Sequence, residues 1–155
     1  MKKVCFFDFP RMENFHGYSI DSLDPVPYFM QGDSWLKKAF VLRKLYRAEY
    51  IDQMYRNRHP SYMRFLRDFT QKYVDADIVV LSTYNPVHPE VLCNELARPI
   101  KVLGFVDDPV SSYVRGIPYL WAFDGAFYIS PSYNDRLLFP DALRRWGCEH
   151  SYWFK

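Results

Sequence analysis

The chain has 155 residues, enough for one domain with a real core, and 49% apolar and 25% charged residues are ordinary for a soluble globular protein. A net charge of +2 with no long basic run leaves no electrostatic footprint for nucleic acid. No apolar run approaches the roughly 18 residues needed to span a membrane.

Three cysteines, Cys5, Cys93 and Cys148, are odd in number and form no CxxC pair, so reduced thiols in a cytoplasmic setting are expected. The histidines at 16, 59, 88 and 150 have no HxH or HxxxH spacing, and no metal site is expected. Aromatic residues reach 19%, which predicts either an aromatic-rich core or a surface for ring-like ligands or a partner domain.

The start, MKKVCFFDF, superficially resembles a signal peptide. Its apolar stretch stops at Asp8 and Pro10, too soon for a signal h-region, and reads as a first strand. Residues 9–33, with Pro10, Gly17, Pro25, Pro27 and Gly32, read as a long loop. Residues 34–47 predict a helix with Trp35, Ala39, Leu42 and Tyr46 on its buried stripe. Residues 49–55 fit either a short strand or a continuation of that helix, and the expected topology favours the strand. Residues 60–73 predict a helix burying Tyr62, Leu66, Phe69 and Tyr73.

Four apolar strand candidates then start near Asp77 (DIVVLS), Ile100 (IKVLGFV), Gly125 (GAFYIS) and His150 (HSYWF). This near-constant spacing is the beat of repeated βα units. Between them, residues 88–96, 111–122 and 134–146 read as helices. Pro89 sits at the first position of one, Gly116 and Pro118 weaken the next, and Pro140 threatens the last, which Gly147 would end. The expected fold is therefore α/β: a Rossmann-like doubly wound parallel sheet of five to six strands with helices on both faces.

Polar residues gather after each strand: Asp8, Arg11, Glu13 and His16; Ser82, Thr83, Tyr84 and Asn85; Asp107, Asp108, Ser111 and Ser112; Ser130, Ser132, Tyr133 and Asn134. In a parallel sheet these clusters converge on the carboxyl edge, where ligands of open α/β sheets bind. The run at 100–109, IKVLGFVDDP, is the sharpest: a strand apolar on both faces stops at two adjacent carboxylates. Asp107 and Asp108 have three readings: a proton-sharing pair that supplies a base, Mg²⁺ ligands, or a cap for the helix that Pro109 begins. No GxGxxG follows the first strand, where DFPRMENFHG stands, and GxxxxGK[ST] and GxSxG are missing. A receiver domain's acidic pair after the first strand is missing too.

The stretches ADIVVLS, IKVLGFVDDP and FDGAFYISPS, with a helix ending in WGC, together resemble the N-terminal domain of CgeB-like glycosyltransferases, which have the GT-B architecture. The match covers residues 76–148, about half the chain. The resemblance implies an acceptor-side domain facing a donor domain across a cleft, with no metal or other cofactor required. Residues 1–155 would then be one Rossmann-like domain, the N-terminal half of an enzyme whose donor domain is absent here. It makes Asp107 and Asp108 the candidate catalytic residues. Asp8, His16, Tyr84, Asn85, Ser111, Ser112 and Ser130 become the candidate substrate contacts. The acceptor would be a glycan, protein or small molecule. Two other classes remain open: a non-catalytic α/β interaction module, and a small Mg²⁺-dependent hydrolase.

Overall fold

The computed structural model describes residues 4–7, 23–30, 34–105, 113–129, 132–134 and 137–153. Strand β1 (Val4–Phe7) is followed by the short helix α1 (Val26–Phe29), helix α2 (Ser34–Val41), a 3-10 turn (Lys44–Tyr46), α3 (Ala48–Arg56) and α4 (Pro60–Tyr73). Then come β2 (Ile78–Ser82), α5 (Pro89–Asn94), β3 (Ile100–Phe105), a 3-10 segment (Ile117–Ala122) and β4 (Gly125–Tyr128). A small ribbon of β5 (Ser132–Asn134) and β6 (Leu137–Leu138), helix α6 (Phe139–Arg145) and β7 (Ser151–Trp153) complete the described elements.

The main sheet has the order β1-β2-β3-β4-β7, and every pairing in it is parallel. The chain is thus α/β, with a five-stranded all-parallel sheet flanked by helices, consistent with a Rossmann-like doubly wound fold. The strands step one way from β1, as in one wing of such a sheet. Strand starts at 78, 100, 125 and 151 follow the expected beat.

Register explains the core. Val79 lies beside Cys5, Leu81 beside Leu103, Leu103 beside Ala126, and Phe105 beside Tyr128. Because side chains alternate along a strand, these residues share one face. There they meet Tyr62, Phe65, Leu66 and Phe69 of α4 and Val91 and Leu92 of α5 in one cluster, and Leu143 of α6 in the neighbouring one. The four residues of the α4 stripe are all buried, as the 3.6-residue period predicts.

Three expectations are corrected. Residues 49–55 are not a strand; they lie within α3, where Ile51 and Met54 are buried three residues apart and Arg56 pairs with Asp52 one turn away at 2.8 Å. The helix expected at 34–47 stops at Val41, because Arg43 takes a left-handed φ of 55°. Its buried side is Leu36 and Ala39, while Trp35 and Leu42 face outward. The helix expected from 134 begins at Phe139, since residues 132–134 are drawn into the β5–β6 ribbon. Pro140 does no harm there, as first-turn N–H groups have no intrahelical acceptor. Gly147, at φ +85°, ends this helix as expected.

Candidate functional site

The site is built on the carboxyl edge of β2 and β3. Thr83 N–H donates to the Gly104 carbonyl at 3.1 Å, extending the ladder one step past β2. The chain then turns through Tyr84 and Asn85. Tyr84 N–H donates to Ser82 Oγ at 3.1 Å, Asn85 Nδ2 donates to the Ser82 carbonyl, and Asn85 Oδ1 accepts from Val87 N–H at 3.2 Å. Ser82, Thr83 and Asn85 are all buried. This is an Asx-type turn whose polar side chains serve the backbone. Asn85, expected as a substrate contact, therefore has both ends of its amide engaged inside the turn.

Tyr84 is different. It is half-buried, and two guanidinium groups lie over its ring, Arg115 at 4.2 Å and Arg43 at 5.6 Å from the centroid. Tyr46 meets it edge-on at 5.7 Å. Arg43 is placed by the left-handed turn that ends α2. Arg115 is placed by Gly116: a Cβ on that glycine would stand 2.8 Å from Thr83 Cγ2 and 2.9 Å from Phe105 Cε1. Only a residue without a side chain lets the chain pass so close to the ends of both strands. Beside this arrangement lies a groove of ≈ 480 Å³ lined by Val26, Met30, Phe40, Val41, Arg43, Tyr46 and Tyr84. It offers mostly apolar walls with positive charge at one side.

The turn continues into a second polar centre. His88 caps α5, its Nδ1 accepting from Glu90 N–H at 3.2 Å, so the ring proton resides on Nε2. Nε2 faces Asp52 Oδ1 at 3.6 Å, and the ring stacks on Tyr55 at 3.8 Å. Burial pushes the His88 pKa down, against the opposing pull of Asp52 and Glu90. The Arg56 guanidinium beside Asp52 holds its carboxyl below the usual range, with His88 adding to the effect. Burial pushes the phenols of Tyr62 and Tyr119 well up. They donate to the carbonyls of Pro86 at 2.8 Å and Ala48 at 2.7 Å, tying the turn's surroundings to α4 and α3. Neutral His88, with Nδ1 occupied by the backbone, is a clamp between α3 and α5 and has no lone pair to offer a substrate.

Of the sequence-predicted residues, Tyr84 and Asn85 stand together at this edge. Asp8, His16, Asp107, Asp108, Ser111, Ser112 and Ser130 lie outside the described residues. In sequence the two aspartates follow the end of β3 with only Val106 between. Arg43, Arg115 and the His88–Asp52 pair escaped sequence reasoning. For His88 a signal existed, since it immediately precedes Pro89 at a helix start. Nothing local marks the arginines, whose meeting on Tyr84 is tertiary. Among the described residues, no cluster of three or more His, Cys, Asp or Glu could hold a metal, and no helix is long and apolar enough to cross a membrane. All three cysteines are free thiols.

Fold and site define an α/β protein with a parallel sheet and a groove that α1, α2 and the turn after α2 form against Tyr84 at the end of β2. No family model, no curated protein and no solved structure matches the chain.

Proposed function

We propose that the chain is the acceptor-side domain of a GT-B sugar transferase of the CgeB-like kind. The observation that carries the reading is the position of β3. The strand IKVLGF lies between β2 and β4 with its carboxyl half buried, and in sequence the DDP stretch begins two residues after its last residue, Phe105. The carboxyl edge is where α/β sheets bind ligands. The reaction transfers a sugar from a nucleotide-sugar to an acceptor hydroxyl. The acceptor oxygen bonds to the anomeric carbon as the bond from that carbon to the diphosphate oxygen breaks. Asp107 or Asp108 takes the hydroxyl proton. Arg43 and Arg115 supply positive charge at the same edge, which favours an acceptor or leaving group that carries phosphate or carboxylate. Donor recognition belongs to a second domain.

The test is turnover of nucleotide-sugar by the protein that joins this domain to its donor domain. Asn still caps a helix but cannot act as a base, so Asp107→Asn and Asp108→Asn separate capping from catalysis. Loss of the base is expected to slow turnover by about 10²–10⁴ with little change in melting temperature. Wild-type turnover in both variants would refute the assignment. A second reading, a binding module without chemistry, is favoured by one feature: Ser82, Asn85 and His88 are all engaged within the fold.

A further inference from the structure

We infer that the surface formed by α2 and the turn after it docks on an anionic lipid bilayer, with the chain lying on the membrane and not through it. This stands independently of the transferase reading. The whole chain has 20 basic and 18 acidic residues, yet the stretch from Ser34 to Ala48 carries Lys37, Lys38, Arg43, Lys44 and Arg47 and no acid. Positive charge is therefore concentrated here.

The same stretch turns apolar side chains outward. Helix α2 buries Leu36 and Ala39 and leaves the opposite side to Lys37, Lys38 and Val41. Val41 is 62% exposed, Leu42 53% and Trp35 43%. Leu42 and Trp35 are seven residues apart with Lys38 between them, so they fall on one line of the surface. Val26 on α1, 46% exposed, joins Val41 at the groove. Among the described residues two carboxylates adjoin the patch: Asp24 accepts from Val26 N–H at 2.9 Å, and Glu49 lies 3.9 Å from Arg47. They leave Lys37, Lys38 and the half-buried Lys44 as basic side chains interspersed with the exposed Trp35, Val41 and Leu42.

That combination selects the partner. Exposed valine and leucine find neither stacking nor hydrogen-bonding partners on a nucleic acid. At a bilayer they enter the acyl boundary while lysines and arginines meet the headgroups, and a tryptophan suits the interface. The interspersed lysines make anionic headgroups the preferred surface.

The experiment is co-sedimentation of the chain with vesicles of pure phosphatidylcholine and with vesicles about one-third phosphatidylglycerol. Partition onto the anionic vesicles only, reversed by salt, is expected. The double variant Lys37→Gln/Lys38→Gln should lower the partition coefficient about 25-fold, about fivefold per cation. The variant Val41→Ser/Leu42→Ser should lower it about tenfold at low salt, by withdrawing apolar side chains from the interface. All four positions are exposed, so unchanged melting curves are expected and serve as the folding control. Equal sedimentation with both vesicle types, or with neither, overturns the proposal. So does full retention of binding by the Val41/Leu42 variant together with competition by duplex DNA, which would make the patch a general polyanion surface.

Discussion

Replacing Asn85 distinguishes a structural turn from a ligand contact. In Asn85→Ala the Ser82 carbonyl loses one of its two donors, keeping the Asn85 backbone N–H at 3.2 Å, and the buried Val87 N–H, 3.2 Å from Oδ1, loses its acceptor. Two net hydrogen bonds at about 0.5–1.5 kcal/mol each, plus an unsatisfied N–H in a buried turn, give a loss of about 2–4 kcal/mol. For a chain of this size that lowers the melting temperature by roughly 5–15 °C. Asn85→Asp keeps the acceptor for Val87 N–H but sets a carboxylate against the Ser82 carbonyl, so it should be no better than alanine. Differential scanning calorimetry, with urea unfolding as a second measure, reads the effect. If both variants melt with the wild type while ligand binding falls, Asn85 belongs to the substrate and the reasoning is wrong.

His88 makes stability pH-dependent. Burial holds its pKa below the ordinary histidine value of 6.5, so the unfolded chain takes up the proton first. The neutral ring's contribution is fully present above 6.5 and is lost as pH falls toward the folded-state pKa, below which it levels off. Melting temperatures of wild type and His88→Asn between neutral and mildly acidic pH should converge as the pH drops; parallel curves would contradict the burial argument. Gly116→Ala should cost about 1–3 kcal/mol, because Thr83, Leu103 and Phe105 crowd the new Cβ with branched or aromatic side chains. Adding Thr83→Ser, which removes the nearest atom, should recover part of that loss. An alanine variant as stable as wild type would mean the chain does not pass so close to the strand ends.

The regular skeleton was legible because it rests on local pattern. DIVVLS, IKVLGF and GAFY are apolar runs that fit buried parallel strands, and Tyr62, Leu66, Phe69 and Tyr73 recur at helical spacing over an uninterrupted stretch. Residues 49–55 misled because a strand was wanted there by the topology, although Ile51, Met54 and the Asp52–Arg56 pair already had helical spacing. Trp35 and Leu42 misled because seven-residue spacing is compatible with either side of a helix. Only tertiary packing decided that Leu36 and Ala39 face the core. The left-handed Arg43 broke the helix without glycine, asparagine or proline to announce it.

Tyr84 and Asn85 stand at the end of β2 as expected from the sequence, but their roles were not legible, and the reason is physical. A strand's carboxyl end is polar for two separate causes. A ligand there needs donors and acceptors, and so does the backbone itself, which leaves the ladder and must satisfy its N–H and C=O groups while turning into a helix. Sequence shows the sum of both demands. After β2 the second demand dominates: Ser82 and Asn85 hold the turn, and His88 caps α5. Tyr84 is what the turn leaves over, and its value comes from Arg43 and Arg115, which reach it from distant parts of the chain. Asp107 and Asp108 raise the same question at the level of sequence. One carboxylate satisfies a helix start, so an adjacent pair exceeds what capping requires. That surplus, more than the acidity of the stretch, is the reason to look for chemistry at the end of β3.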